Sequence, residues 1–505
     1  MFQLYDRIST LDGDRGTVKY VGPIDTWGPD VEALGIEWDN PKRGKNSGTI
    51  DGKTYFATNI KGAGSFLKSS NKKLLRKNVS FIDALLCQYV DGSIFNEDIA
   101  FGNKKVESYG FEKLNKLQAN LSNLLSISLD KKYINSSCIS HSHFQDIFNN
   151  LKKLEHLDLS FNLFKDFIAI SDIVSQIPSL ESLNLNGNRI IGLNPSAVKF
   201  QHQNLKIIKL ASTYIDIDII IQVLDGLPNL RELILAGNNY TDNDLESLEV
   251  LGSRVKCLDL SYNSLTVVPK CISSITSLNL SNNYILTFPS FVDNDLSILD
   301  IRFNTIDLWE TIDGLQHTFQ NLELLRINGN PLFERLSIDE MTLNLIGRLE
   351  FKSDGNKSKL EKLNGSVILN TEVINGELYF ISKVKKGEYT YDTTSQRWEQ
   401  LMQKYNFNPI VESIPKKSNL SLKKLSLTII SGSKKMHKVF LKDTTVLRLK
   451  GSISKELNES IFRFKVYYFI NEFDELNHRE KQFLDNDMAT LDLFGIVTGQ
   501  TLYVV

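Results

Sequence analysis

One spacing recurs between positions 124 and 332 and limits the fold of this 505-residue chain more than any other feature. An apolar residue stands at positions one, four and six, asparagine at nine, and an apolar residue again at eleven. Clear copies are Leu154, Leu157, Leu159, Asn162, Phe164; Leu180, Leu183, Leu185, Asn188, Ile190; and Leu230, Leu233, Leu235, Asn238, Tyr240. The pattern continues through Val255, Leu258, Leu260, Asn263, Leu265; Ile275, Leu278, Leu280, Asn283, Ile285; Leu296, Leu299, Ile301, Asn304, Ile306; and Leu322, Leu325, Ile327, Asn330, Leu332. Two copies depart from it: Leu205, Ile208, Leu210 has Thr213 at the asparagine position, and Leu124, Ile127, Leu129 has Lys132. Apolar residues two apart specify a short strand with one buried face. The asparagine side chain satisfies backbone groups of the adjoining turn. One unit cannot bury its own face, so the units must stack into a solenoid with atypical ends.

This is the leucine-rich-repeat pattern, and starts at 124, 154, 180, 205, 230, 255, 275, 296 and 322 give units of 20 to 30 residues. The longer units predict helices on the convex side; the short ones near 255–296 predict turns or 3₁₀ segments. Between the two strand apolars, Asp158, Asn184, Lys209, Ile234, Asp259, Asn279, Asp300 and Arg326 face the concave side. That mixed column is open to two readings, a solvated polar face and a protein-binding face.

The flanks differ in character. Residues 34–68, with the turn at 16–22 before them, are dense in glycine and aromatic residues and include the run Gly44, Lys45, Asn46, Ser47, Gly48. Glycines permit backbone turns with positive φ, so a small curled β unit here can present aromatic rings and amide N–H groups side by side. Such a surface suits a short acidic peptide end. Residues 79–90 predict an amphipathic helix with Phe81, Leu85 and Tyr89 at helical spacing, and 113–125 a second one. Polar stretches at 356–359 and 416–424 read as hinges. Beyond them, 425–430 alternates as a strand, 439–441 can answer it, 446–457 suits a helix, and 464–469 and 501–505 are β-rich. A ββαβ start with a terminal strand is the order of a ubiquitin-like β-grasp. The sequence ends at Val505 without a Gly-Gly tail, so docking rather than conjugation is expected of this part.

Composition is that of globular protein, 41% hydrophobic and 23% charged, and a net charge of −2 excludes a globally basic nucleic-acid binder. Cys87, Cys138, Cys257 and Cys271 make no metal spacing and read as reduced thiols. No signal segment or membrane-length apolar run appears, so a cytosolic location is expected, and the sequons at Asn78 and Asn135 read as chance matches. Gly52-Lys53-Thr54 imitates the end of a phosphate loop, but Ser47 stands where that motif needs glycine. His141 and His143 form no metal motif, and no nucleophile signature is present. No catalytic residue, metal site or cofactor is expected.

The first unit resembles a CAP-Gly domain through residues 16–22, 34–41, 44–48, Tyr55-Phe56 and 62–66. Together with residues 102–107, 363–366 and 377–383, the three modules resemble the tubulin-folding cofactor E family over nearly the whole chain. The resemblance implies a multidomain chain: a small all-β CAP-Gly barrel at 1–75, a helical or extended connector at 76–120, an α/β leucine-rich-repeat solenoid with a C-terminal cap at 121–385, a helix and linker at 386–424, and a ubiquitin-like β-grasp at 425–505. It implies a non-enzymatic cytoplasmic, cytoskeleton-associated chaperone. Such a protein holds the acidic tail of α-tubulin in the CAP-Gly groove and its body on the repeats. Its partners are β-tubulin with tubulin-folding cofactors B, C and D, and a ubiquitin or proteasome receptor for the last domain, without nucleic acid or membrane. The groove would comprise Trp38, Gly44, Lys45, Asn46, Ser47, Gly48, Tyr55, Phe56 and Phe66; the body would meet Asp158, Asn184, Lys209, Asp259, Asn279, Asp300 and Arg326. Ala33, Ser47 and Thr58 depart from the family's tryptophan, aspartate and cysteine, which implies that the groove orients the partner more than it holds it. Alternatives are a microtubule-tip linker using the same groove and a ubiquitin-pathway enzyme.

Overall fold

The computed structural model describes residues 2–89, 100–101, 104–105, 121–137, 144–191, 200–246, 248, 254–269, 273–289, 294–353, 358–405, 424–461, 463–469, 481–487 and 489–505. The chain divides into two units, Met1–Phe407 and Asn408–Val505. Outside the described residues lie most of the helix expected at 113–125, parts of both expected hinges, Cys138, Cys271, His141, His143, and much of the motif at 102–107.

The first unit opens with a five-stranded antiparallel sheet, ordered Gly64–Lys68, Gly28–Trp38, Arg15–Ile24, Arg7–Thr10, Leu74–Leu75. Ile8, Val18, Leu34, Ile36, Trp38 and Leu74 form its core. The repeats follow as one sheet of eleven short strands. From Ser126–Ser128 through Lys362–Leu363 neighbouring strands pair in parallel, and Ser366–Val367 closes the sheet antiparallel. Each three-residue strand of this sheet, from Ser126–Ser128 to Leu324–Arg326, places a buried leucine or isoleucine, such as Leu157, Leu183 and Ile208, between two less buried residues.

The pattern asparagines explain why the turns hold their shape. The Nδ2 of Asn263 donates to the carbonyls of Leu235, Leu260 and Ser261 at 3.1, 2.9 and 3.2 Å, while its Oδ1 accepts the N–H groups of Asn238 and Tyr240. Each buried backbone group thereby gains a partner across two repeats. Thr213 Oγ1 donates to the Leu210 carbonyl at 2.9 Å and to Asn238 Oδ1 at 3.2 Å, and that same Oδ1 accepts the N–H groups of Thr213 and Tyr214, as Asn263 does for the repeat before it. Convex helices sit in the long units, at Ile168–Ser175, Ile217–Asp225, Asp242–Glu246 and Trp309–Asp313. No helix occurs among the described residues of the units starting at 255 and 275.

Both solenoid ends are covered. At the N-terminal end Val79–Ser80 pairs in parallel with Ile134–Ser136, and the helix Phe81–Tyr89 buries Phe81, Ile82, Ala84 and Leu85 in the repeat core. At the other end Ile338–Arg348 packs on Asn370–Lys385; a Cβ at Gly347 would meet the Phe380 ring at 2.1 Å, so glycine sets this close approach. The helix Gln396–Lys404, grouped with the linker in the sequence reading, packs on this cap. Buried Glu377 accepts hydrogen bonds from Arg397, Lys404 and Tyr405 at 2.7, 2.7 and 2.6 Å.

The second unit is a ubiquitin-like β-grasp. Its sheet runs in the order Lys434–Leu441, Lys424–Ser431, Thr501–Val504, Val466–Phe469, Lys481–Phe483, with the helix Val446–Leu457 contributing Val446, Leu449 and Ile453 to the core. The strand Lys481–Phe483 carries too short an apolar pattern to be read from sequence.

Candidate binding site

The groove loop is built by three close approaches that only glycine permits. Gly48 has φ +94°, and a Cβ there would lie 1.9 Å from the Phe56 carbonyl oxygen. A Cβ on Gly44 would meet the Gly62 carbonyl at 2.0 Å, and one on Gly35 the Phe56 ring at 2.4 Å. The loop is then pinned to the chain at 62–64: Lys45 and Asn46 N–H donate to the Gly64 carbonyl at 2.7 and 3.0 Å, and Gly64 N–H returns a bond to the Asn46 carbonyl at 2.6 Å. Ser47 Oγ accepts the Gly62 N–H at 2.8 Å. Asn46 Oδ1 accepts the Gly48 N–H at 3.0 Å, which aims the side chain and leaves its Nδ2 without a partner among the described residues. Lys45 is exposed and makes no ion pair among the described residues.

Beside this loop lies an aromatic cluster. Tyr55 meets Phe66 edge-on at 5.6 Å between centroids, Phe56 meets Phe66 at 5.3 Å, and Tyr20, absent from the sequence-based site, meets Tyr55 at 5.3 Å. Tyr20 stands outside the glycine run, and residues 16–22, expected as a turn, belong to the strand Arg15–Ile24 that carries it. Trp38 needs correction: it is 1% exposed, packed in the core with Arg43 4.9 Å from its ring centroid, and cannot line the groove. Leu34, Ile36 and Trp38 alternate along one strand, so period two placed this ring on the core face. Ala33 is also fully buried and lines no surface.

The small β unit sits on the repeats through a charged joint. Asp39 accepts two hydrogen bonds from Arg7, at 2.8 and 2.7 Å, and lies 3.8 Å from Arg15 Nε and 3.6 Å from Arg189 Nε of the repeats. Burial works against the charge of Asp39, but Arg7, then Arg189 and Arg15, outweigh it and hold the carboxyl below its ordinary value. Burial pushes the Arg189 guanidinium below its ordinary value, with Asp39 acting in the opposite direction. Arg189 also lies over the Tyr214 ring at 4.5 Å. Further contacts are Arg15 Nη1 donating to the Phe161 carbonyl at 2.7 Å, Asn135 Nδ2 to Lys77 O at 2.9 Å, and Asn239 Nδ2 to Asn59 O at 2.8 Å. Of the repeat residues in this joint, Phe161, Arg189, Tyr214 and Asn239 stand on the loops that follow the strands, and Asn135 stands in the strand Ile134–Ser136.

The concave column is largely satisfied within itself. Asp158 accepts from Ser160 N–H and Asn184 Nδ2, Asp259 accepts from Ser261 N–H and Asn279 Nδ2, and Asp300 pairs with Arg302 at 2.7 Å and Arg326 at 3.8 Å. Among the described residues Asp158, Lys209 and Asp259 make no ion pair, and the two aspartates are satisfied by hydrogen bonds alone. No cluster of His, Cys, Asp or Glu able to hold a metal occurs among the described residues, and no helix there is long and apolar enough to cross a membrane.

The CAP-Gly domain family matches residues 4–72, and the leucine-rich-repeat family matches residues 178–239. The chain is 28% identical to Protein PAC2 of Saccharomyces cerevisiae over 522 residues, covering 100% of this chain and 96% of that protein. It is 28% identical to tubulin-specific chaperone E of Xenopus laevis, covering 98% of this chain and 97% of the relative. With tubulin-folding cofactor E of Arabidopsis thaliana the identity is 26%, over 100% of this chain and 98% of the relative.

Proposed function

We propose, because the chain belongs to the tubulin-folding cofactor E family, that it captures α-tubulin and acts with other tubulin-folding cofactors in assembling and disassembling the α/β-tubulin dimer. The observation that carries this reading is the groove itself: Lys45 and the Asn46 amide, both without a partner among the described residues, and the Tyr20, Tyr55 and Phe66 rings, backed by buried Phe56, lie together on a unit fastened to the repeats. Lysine attracts the carboxylates of an acidic tail, the amide donates to a chain end, and the rings take an aromatic terminal residue. One exposed ion pair contributes only ~0.2–1 kcal/mol, so the groove alone binds weakly. A second contact on the same unit raises affinity through effective concentration.

In this reading the protein works without catalysis in the cytoplasm, in association with the cytoskeleton. β-Tubulin and cofactors B, C and D join the reaction, and the ubiquitin-like domain recruits a cofactor or a ubiquitin or proteasome receptor. The test is to mix the purified chain with tubulin dimers and follow α- and β-tubulin by gel filtration. Capture of α-tubulin supports the reading; intact dimer, with binding only to polymer, replaces it by the microtubule-linker alternative.

A further inference from the structure

On the loops following the strands, at the edge where the CAP-Gly unit docks, the repeats carry a row of aromatic residues. Its first members meet the CAP-Gly unit: Arg15 lies 5.8 Å from the centroid of Phe161, which stays 40% exposed, and Arg189 lies between half-buried Tyr214 and Asp39. The later members are bare, with Tyr262 64%, Tyr284 59% and Phe303 51% exposed. Val267, Leu286 and Leu308 are exposed near them in sequence, on the same repeats. Large exposed aromatics clustered on one edge mark a protein-contact surface, because tyrosine and phenylalanine bury much area at small entropic cost.

We infer that Tyr262, Tyr284 and Phe303 form the contact for the folded body of α-tubulin while its tail lies in the groove, an inference that rests on the proposed function. Continuity with the existing joint selects this occupant. Asn59, on the segment leading to the loop anchor at 62–64, accepts a hydrogen bond from Asn239, and Ser264 N–H donates to Tyr240 O at 2.8 Å in the next repeat, the one that carries Tyr262. The groove therefore lies where the bare row begins, and a protein held by its chain end meets the row first. Phe303 also repeats the arrangement of Phe161. A Cβ on Gly329 would meet the Phe303 ring at 2.4 Å, as one on Gly187 would meet Phe161 at 2.3 Å, so both rings pack against a glycine. Phe161 receives an arginine; Phe303 offers the same platform to a cationic side chain of the partner. The concave column, its polar groups already paired along the sheet, is the lesser contact.

The experiment uses the full chain, intact tubulin, tailless tubulin and a peptide of the α-tubulin tail. The variant Tyr262→Ser, Tyr284→Ser, Phe303→Ser is expected to bind tailless tubulin at least tenfold more weakly than wild type, while binding the tail peptide equally. A second variant, Phe303→Leu, is expected to lose part of that affinity with an unchanged thermal midpoint, which separates contact from folding. Equal binding of tailless tubulin by wild type and the triple variant overturns the inference, as does loss on Lys209→Glu alone. Tail-peptide capture would survive either result, so the groove reading stands or falls separately: it fails if neither peptide nor intact tubulin binds wild type.

Discussion

Replacing Arg189 by alanine should undock the CAP-Gly unit without unfolding it, whereas replacing Asp39 should destabilise the unit itself. The asymmetry follows from the pairing. Arg189 contributes a charge 3.6 Å from Asp39, worth ~4–5 kcal/mol at an effective dielectric of ~20 before desolvation and the opposing charges of Arg7 and Arg15 are counted. After those costs a net ~1–3 kcal/mol remains, in the range of an interaction with a charged partner. Asp39 keeps both hydrogen bonds to Arg7 when Arg189 is gone. Removing Asp39 instead leaves the Arg7 guanidinium, whose side chain is only 2% exposed, without a carboxylate, at a cost of ~3–5 kcal/mol. Hydrogen exchange reads the two outcomes apart. In Arg189→Ala, protection should fall at the joint, around Asn59 and Phe161, and persist in the strand pair Arg15–Ile24 and Gly28–Trp38; in Asp39→Ala it should fall in those strands as well. Arg189→Ala with unchanged exchange at Asn59 and an unchanged melting profile would refute the assignment of the joint to this ion pair. The same pairing sets the acid limit. Because the folded carboxyl titrates below its unfolded value, its contribution is full above the unfolded pKa of ~3.9 and is lost as pH falls through the folded value, so docking should be constant from pH 5 to 8.

Other substitutions probe separate parts. Gly48→Ala forces a residue with φ +94° and a Cβ 1.9 Å from Phe56 O, so strain of ~1–3 kcal/mol plus the clash should abolish tail-peptide binding in a titration. Asn263→Ala orphans buried backbone groups in two repeats and should lower urea stability of the solenoid by at least ~3 kcal/mol, while Thr213→Asn should cost far less. Glu377→Gln leaves Arg397 and Lys404 facing a neutral amide; ~3–5 kcal/mol of cap stability should be lost, seen as early proteolysis at the helix Gln396–Lys404. Lys45→Ala should reduce tail-peptide affinity by the ~0.2–1 kcal/mol of an exposed pair, and added salt should erase the difference.

The solenoid was legible because its signal is periodic and local: leucine spacing gives the strands, and asparagine gives the turns. The β-grasp was legible for the same reason except at Lys481–Phe483. The groove loop could be read from Gly44 and Gly48, whose close approaches forbid other residues. Trp38 was misplaced because aromatic content was weighed ahead of strand parity, which groups it with Leu34 and Ile36. The joint of Arg7, Asp39 and Arg189 could not be read, since its charges are far apart in sequence and each alone resembles a solvated surface residue. The edge row was hidden differently: Tyr262, Tyr284 and Phe303 occupy variable positions of the repeat, where the pattern makes no demand.

Gel filtration of the purified chain with α/β-tubulin tests the central claim most directly. The expected result is a complex containing this chain and α-tubulin, weakened by Lys45→Ala or by removal of the tubulin tail. Tubulin that elutes as unchanged dimer, with this chain retained only by microtubules, would contradict it.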